Sequence, residues 1–283
     1  MNIVAWGQVA PWAEQRQIEQ DLIISRALVE IFRDPFLRSE LRFRGGTALN
    51  KLHFPAPLRY SEDIDLVRTT AGPIGPIIDG LRGVLEPWLD VAKFDMTKVA
   101  PKLRFRTPAE DGTGPIRLKV EINTHEIEAY DAPLAIPFRV ENPWFTGEAP
   151  VSTFSREEML ATKLRALLQR NKGRDLFDLA HALQVFTGLD TARVVAYFGR
   201  YLAQAQQVIS RAEAERRMFS KLANPSFLSD MRPLLSAAEA MKITDDFTKH
   251  AFEEVFREFI TKIPGESWAK TPDMKQRFDV LLK

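Results

Sequence analysis

The sequence has 283 residues, of which 45% are hydrophobic and 27% charged, a composition typical of a globular protein long enough for two domains. It contains no cysteine, which excludes disulfides and thiolate-bound metals. No stretch approaches the roughly 18 uncharged apolar residues of a membrane span, and residues 1–10 do not resemble a secretory signal. We therefore expect a cytoplasmic protein with no membrane partner.

The first part of the chain alternates helical and extended patterns. Apolar residues at helical spacing predict helices, and alternating apolar residues predict strands. The predicted helices are 14–32, 47–52 and 74–89, and the predicted strands are 41–44, 63–68, 103–106 and 116–123.

Beyond Ser155, proline and glycine become less frequent and helical spacing dominates. The predicted helices there are 156–169, 176–186, 192–222 and 245–263. The proline-bearing segment 133–150 is interpreted as a linker that is itself partly strand-like. We predict an α/β domain over residues 1–150, with a mixed sheet, followed by an all-helical domain over 151–283.

The net charge of +1 does not indicate a nucleic-acid partner, but basic residues are clustered in two places. The clusters are Lys98, Lys102, Arg104, Arg106, Arg117 and Lys119, then Arg165, Arg170, Lys172 and Arg174. Each cluster is compatible with phosphate binding and equally with an ordinary solvated surface.

Two aspartates are predicted to share one face of a strand. Residues two apart in a strand point the same way, so Ile64 and Leu66 face a core. Ser61, Asp63 and Asp65 share the opposite face. Neighbouring carboxylates repel unless a cation lies between them, and oxygen ligands suit Mg²⁺ or Mn²⁺. Such a pair can hold the metals that activate a hydroxyl and stabilise a leaving pyrophosphate.

The sequence before this strand favours the nucleotide interpretation. Gly45 and Gly46 open a predicted helix and let backbone amides approach an anion, and Thr47 adds a hydroxyl donor. Taken alone, the aspartates are also compatible with a strand end paired to Arg44 and Arg59. A phosphate-binding turn followed by a carboxylate strand is typical of a nucleotide site with its metal.

Together, segments 45–49 and 59–66 resemble the AbiEii/AbiGii-type toxins of the nucleotidyltransferase superfamily, a family that includes mycobacterial tRNA nucleotidyltransferase toxins. The superfamily pattern is Gly-Ser or Gly-Thr, a spacer, then Asp-x-Asp; the spacer here, 48–62, is long. The resemblance implies a nucleotidyltransferase-like fold, an NTP substrate and metal binding by Asp63 and Asp65. The implied nucleotide-binding residues are Gly45, Gly46, Thr47, Ser61 and Lys163.

A later strand often supplies a third catalytic carboxylate in this superfamily. Apolar residues alternate strictly in 116–123, which places Glu121 on the polar face with Arg117 and Lys119. Glu121 is therefore the candidate third catalytic and metal-binding residue. A cross-strand ion pair would give the same pattern.

Two further candidates lie in the helical part. Lys163 falls inside the apolar stripe of its helix, so its amine either reaches solvent or binds an anion. The resemblance implies that Lys163 contacts the triphosphate. Asp175, in an Arg-Asp-x-x-Asp segment ending at Asp178, resembles a family motif and is expected to be catalytic, with Asp178 secondary. An acid in the first turn of a helix is also favoured by the helix dipole alone.

The resemblance also implies a function: a monomeric toxin that extends the 3′ end of tRNA, blocks aminoacylation and is neutralised by a cognate antitoxin. The alternatives are a nucleotidyltransferase acting on a protein or small molecule, and a non-catalytic NTP-binding regulator. Phosphorylation of Ser61 would add about −1.5 to −2 charge among the metal ligands and switch the site off. A serine that ends a loop or donates to a phosphate is the simpler interpretation.

Overall fold

A computed structural model describes residues 3–96, 100–224, 227 and 229–280. The chain forms two compact units, Met1–Ser155 and Arg156–Lys283. Lys98, from the first basic cluster, lies outside the described residues. None of the described helices is both long and apolar enough to cross a membrane.

The first unit combines a sheet with short helices. Its helices are α1 (Ile3–Trp6), α2 (Gln15–Arg33), α3 (Pro35–Glu40), α4 (Gly45–Ala48) and α5 (Gly75–Leu85), and a π-helical turn, Leu49–His53, continues α4. Its strands are β1 (Leu41–Arg44), β2 (Asp63–Arg68), β3 (Lys93–Met96), β4 (Pro101–Pro108), β5 (Pro115–Asn123), β6 (Leu134–Asn142) and β7 (Phe145–Thr153).

These strands form a mixed seven-stranded sheet in the order β3-β4-β5-β2-β1-β7-β6. β2 lies at its centre, antiparallel to β1 and parallel to β5. The buried α2 residues Leu22, Ile24 and Leu28 are fully inaccessible, and α2 packs against β5 and β7. Alternation along β4 and β5 buries the apolar residues and leaves the charged residues on the opposite face. The predicted α/β fold with a mixed sheet is confirmed.

The predicted linker 133–150 is wrong, because this segment forms the hairpin β6–β7 within the sheet. Its prolines suggested a linker, yet Pro137 lies directly opposite Pro150 in the antiparallel pair. β6 is an edge strand, where a missing backbone N–H is tolerated. β7 meets β1 further along, where Phe43 is opposite Thr153.

The second unit is helical, as predicted. Its α-helices are α6 (Arg156–Gln169), α7 (Gly173–Val185), α8 (Thr191–Gln204), α9 (Arg211–Leu222), α10 (Ala237–Lys242), α11 (Asp245–Glu258) and α12 (Thr271–Phe278). Short 3₁₀ turns occupy Ser229–Leu234 and Ile260–Lys262.

The predicted single helix 192–222 is in fact two helices. Gln206 has a φ of 54°, and the amide of Gln207 donates to the Leu202 carbonyl at 2.8 Å. This 6→1 hydrogen bond, together with a left-handed residue just before its donor, is the Schellman motif that ends a helix. Ser210 then caps the new helix by accepting from the Glu213 amide. The apolar periodicity continues across the break, which is why sequence spacing alone did not reveal it.

Candidate active site

The predicted carboxylates lie together on the polar face of the sheet. Asp63 and Asp65 alternate with buried Ile64 on β2. In the neighbouring parallel strand β5, Glu121 is opposite Asp65 and Lys119 is opposite Asp63. Two adjacent strands therefore place three acids and one lysine on one surface.

Lys119 is the counter-ion of this surface. Its Nζ lies 2.8 Å from Asp63 Oδ2 and 3.4 Å from Glu121 Oε2. Glu121 also pairs with Lys102, at 3.1 Å. Burial lowers the pKa of Lys119, but its hydrogen bond to Asp63 and the nearby acids outweigh burial, so that pKa is raised. The site thus stabilises a positive charge beside Asp63.

Asp65 is the acid whose charge is least compensated. Burial, and then the negative charge of Asp63, raise the pKa of Asp65. A bound cation would offset both effects, so the donor set fits a hard divalent ion.

Two carboxylates, rather than the three predicted, fit a metal ion here. In the described part of the chain, no three His, Asp or Glu side chains are grouped to hold a metal ion. Mg²⁺ is commonly bound through one or two carboxylates together with substrate phosphates and water. Asp63 and Asp65 meet this requirement. A metal-binding role for Glu121, whose carboxylate is paired with Lys102 and Lys119, stays a prediction.

Gly45 is required by the position of Asp65. Its φ of +84° favours glycine. A Cβ built on Gly45 would lie 3.0 Å from both Cβ and Cγ of Asp65, and closer still to Oδ2. The glycine predicted to admit a phosphate therefore also makes room for the carboxylate of Asp65. Beside it, Asn50 Nδ2 donates to the Gly46 carbonyl at 2.9 Å.

Thr47 connects α4 to the carboxylate strand. Its buried hydroxyl lies 2.5 Å from the Asp63 carbonyl oxygen and 2.8 Å from Ser61 Oγ. A carbonyl can only accept, so the single Thr47 proton goes there and the Ser61 hydroxyl donates to Thr47. Thr47 and Ser61 hold the start of β2 in place. A direct contact of either hydroxyl with a nucleotide stays a prediction.

The alternative in which the aspartates pair with arginines holds in part for Arg44. Arg44 lies opposite Asp65 in the β1–β2 pair, and its charge lowers the pKa of Asp65, although burial and Asp63 outweigh it. The ion pair of Arg44 Nη1, at 2.6 Å, is with Glu126 Oε2, while Asp63 pairs with Lys119. Arg59 is buried and donates to the Tyr60 carbonyl at 3.0 Å.

In the helical unit, Lys163 forms a buried ion cluster with both predicted aspartates. Its Nζ lies 2.8 Å from Asp178 Oδ2 and 3.3 Å from Asp175 Oδ1. Arg170 adds two bonds to Asp175, at 2.6 and 2.8 Å. Burial raises the pKa of Asp175, but Lys163 and Arg170 outweigh burial and lower it overall. The inward lysine predicted from the sequence is thus anchored by acids on α7.

The family sequence profile for the nucleotidyl transferase AbiEii toxin of type IV toxin–antitoxin systems matches residues 26–261. The chain belongs to this family. It is a nucleotidyltransferase, and the family implies an NTP substrate and an antitoxin partner. No protein among the curated sequences matches the chain.

Two solved structures share the fold of this AbiEii family member. One is MenT4, a nucleotidyltransferase toxin of Mycobacterium tuberculosis, with 17% identity, a TM-score of 0.56, and 92% of this chain and 97% of that chain covered. The other is JHP933 from Helicobacter pylori, with 15% identity, a TM-score of 0.51, and 86% and 94% covered. At these identities the likeness shows the fold.

The shared face of Lys119 and Glu121 follows from alternation along the strand, but the ion pair of Lys119 with Asp63 depends on how β5 lies beside β2. In the helical unit, Lys163 contacts both Asp175 and Asp178, which are three residues apart on one helix face. The catalytic role of Asp175 and the secondary role of Asp178 stay predictions.

Proposed function

We propose that this AbiEii family member is a metal-dependent enzyme that transfers nucleotides from NTP to the 3′ end of tRNA. The observation that carries the proposal is the Asp63 and Asp65 pair held against the Gly45 turn. In the reaction, a terminal hydroxyl of the acceptor attacks the α-phosphorus of the NTP. A new phosphodiester forms, the bond to pyrophosphate breaks, and the hydroxyl proton is released.

Asp63 and Asp65 are the residues that would hold Mg²⁺ or Mn²⁺. When bound, the ion supplies positive charge that neutralises the triphosphate and the attacking oxygen. Gly45, Gly46 and Thr47 form the turn proposed to receive the phosphates, and Thr47 also fixes Asp63 through its carbonyl. Catalysis then rests on positioning and charge neutralisation.

Lys163 is proposed to contact the triphosphate, as the resemblance to the family implies. Its ammonium is held by Asp175 and Asp178, so its direction is set before any nucleotide binds. Arg170 compensates part of the acidic charge on Asp175. Because the Lys163 side chain is already held in place, it would lose little conformational entropy when a nucleotide binds.

The tRNA acceptor is supported by the charge on the sheet. Arg106 and Arg117 are exposed opposite each other on the polar face of β4 and β5, and the exposed Arg104, which pairs with Asp95, lies opposite Lys119. A row of this kind suits a phosphodiester backbone. Extension of tRNA ends would block aminoacylation in the cytoplasm and stop growth until the antitoxin intervenes.

Incubation with each α-labelled NTP and total tRNA tests the proposal. We expect label in RNA with wild-type protein and none with Asp63→Asn. Periodate-oxidised tRNA, which lacks a usable 3′ hydroxyl, should accept no label. Label in protein, or in a small molecule instead of RNA, would overturn the tRNA acceptor. NTP binding without pyrophosphate release would instead indicate a regulator.

A further inference from the structure

A cavity of about 190 Å³ lies in the first unit, and its lining residues do not include Asp63 or Asp65. It is bounded by α1, α2, the segment 54–61 and β6. Thr47 and Ser61 line one side of it, and Trp6, Trp12, Phe54 and Phe138 supply aromatic surface.

The two tryptophans in this cavity are fixed by one buried carboxylate. Asp21 accepts from Trp6 Nε1 at 2.9 Å and from Trp12 Nε1 at 3.1 Å. Lys51 Nζ, 2.9 Å away, balances the Asp21 charge and also lies 2.9 Å from Ser25 Oγ. A ligand therefore meets rings that are already oriented, which reduces the entropic cost of binding.

Cationic side chains border the cavity. Its lining contains the cations Lys51, Arg59 and Arg139 and one acid, Asp21. Lys51 is paired with Asp21, and Arg139 lies at the exposed rim, paired with Glu141 on the same strand. An aromatic interior with cations at its border suits a planar ring whose phosphates stay outside.

The position of the cavity links it to the catalytic strand. Thr47, which lines it, is hydrogen-bonded to the Asp63 carbonyl, and Ser61 lies two residues before Asp63. The cavity therefore lies beside the start of β2.

We propose that this cavity binds the heterocyclic base of a nucleotide. Its volume lies below the roughly 300–1,000 Å³ of sites for drug-sized ligands, so it accommodates one ring system and leaves the ribose and phosphates outside. The base belongs either to the incoming NTP or to the terminal nucleotide of the acceptor RNA. This inference rests on the proposed function and adds the subsite that would set base preference.

Indole N–H resonances of the full-length, ¹⁵N-tryptophan-labelled protein test the proposal directly. The chain has five tryptophans, and Phe substitutions of Trp88, Trp144 and Trp268 assign the other three signals, leaving those of Trp6 and Trp12. The protein is titrated with each NTP, with inorganic tripolyphosphate, and with a short single-stranded RNA carrying a 3′ hydroxyl. Calorimetry in the same buffers, with Mg²⁺, records binding independently.

If Trp6 and Trp12 shift with an NTP but not with tripolyphosphate, the NTP base occupies the cavity. If they shift with RNA alone, the acceptor base does. NTP binding by calorimetry with both signals unmoved by every ligand would overturn the cavity assignment and leave the proposed function standing. No NTP binding by calorimetry, with RNA shifting both signals, would uphold the cavity and overturn the proposed function. If no ligand shifts either signal and calorimetry detects no binding, both the cavity assignment and the proposed function are overturned.

A matched pair of variants on β6 gives a second test. Phe138→Ala removes an aromatic wall of the cavity, whereas Leu134→Ala removes an exposed apolar side chain outside it. For the ligand that shifts the Trp6 and Trp12 signals, we expect Phe138→Ala to raise the Kd about tenfold. This change is within the range that stacking of one base provides. Leu134→Ala should leave that Kd unchanged. Equal Kd values for both variants would contradict the assignment.

Discussion

The ammonium of Lys119 lies 2.8 Å from Oδ2 of Asp63, on the surface that we assign to the metal. Because Lys119 also lies 3.4 Å from Glu121, it stabilises a pair of acids that would otherwise repel each other. Lys119 and a bound metal ion would therefore each supply positive charge to the same acids. At the proposed metal site, lysine and metal would compete for the charge of Asp63.

Replacing Lys119 with Gln tests this competition. Without the ammonium, Asp63 and Glu121 repel, so the unfolding temperature of the metal-free protein should fall by several degrees. Because a ligand that binds only the folded state stabilises it, adding Mg²⁺ should raise that temperature more in Lys119→Gln than in the wild type. Thermal unfolding with and without millimolar Mg²⁺ measures both effects.

Arg117→Gln is the control for Lys119→Gln. Arg117 lies two residues away on the same strand, exposed on the same face. The Arg117→Gln substitution removes the same charge but keeps Lys119, the partner of Asp63. An equal gain in Mg²⁺ stabilisation for both variants would show that overall charge, and not the Lys119–Asp63 pair, controls metal binding.

The close approach of Gly45 to Asp65 leads to a second prediction. Gly45→Ala places a methyl group against Asp65 Oδ2, in addition to the left-handed strain of about 1–2 kcal/mol that any residue but glycine carries there. We expect a loss of unfolding free energy clearly above that strain, and loss of nucleotidyl transfer as Asp65 is displaced. Chemical denaturation and the transfer assay measure the two effects.

Gly112→Ala separates the effect of backbone strain from that of the steric contact with Asp65. Gly112 also has a positive φ, +68°, but a Cβ there meets nothing within 4 Å. It should therefore lose only the strain energy and keep full transfer activity. If Gly45→Ala were no worse than Gly112→Ala, the contact with Asp65 would have no energetic weight.

Asp63→Asn keeps the shape of the side chain and removes its charge. Because phosphoryl transfer depends on positioned charge, we expect transfer to fall by at least about 10²–10³-fold. Asp79→Asn, at an exposed acid on α5, should leave transfer unchanged. Far-UV circular dichroism of both variants checks that they fold. Transfer by Asp63→Asn within tenfold of the wild type would contradict a metal-binding role.

The sequence indicated the faces of the strands but not their register. Alternation around Ile64 was enough to place Asp63 and Asp65 together, because side-chain direction has a period of two in any strand. The pairing of Asp63 with Lys119 depends on which strand lies beside β2 and in which register. Register is set by core packing and turn geometry rather than by local pattern.

Local rules also explain the two segments that were mispredicted. The prolines at 137 and 150 lie opposite each other in an edge hairpin, where the missing amides are harmless. The left-handed Gln206 ends α8 although Gln has a good intrinsic helix propensity. In both places the observed backbone departs from a composition signal that is correct on average.

The lowered pKa of Asp175 predicts an acid-dependent part of the stability of the helical unit. A carboxylate whose folded pKa lies below its ordinary value, near 3.8, stabilises the fold above that value. This contribution is lost as the pH falls through the lowered folded pKa. Asp175→Asn should therefore cost about 2 kcal/mol near pH 7, the scale of a hydrogen bond to a charged group.

That cost should shrink as the pH falls below about 3.8, because the unfolded chain then takes up a proton at Asp175, whereas the folded carboxylate takes it up only at lower pH. Urea denaturation of both proteins between pH 7 and pH 3 measures the difference. Asp273→Asn, at an exposed acid in the first turn of α12, should differ little from the wild type at any pH. A difference for Asp175→Asn that stays constant across this range would mean that the charge of Asp175, held by Lys163 and Arg170, does not stabilise the fold.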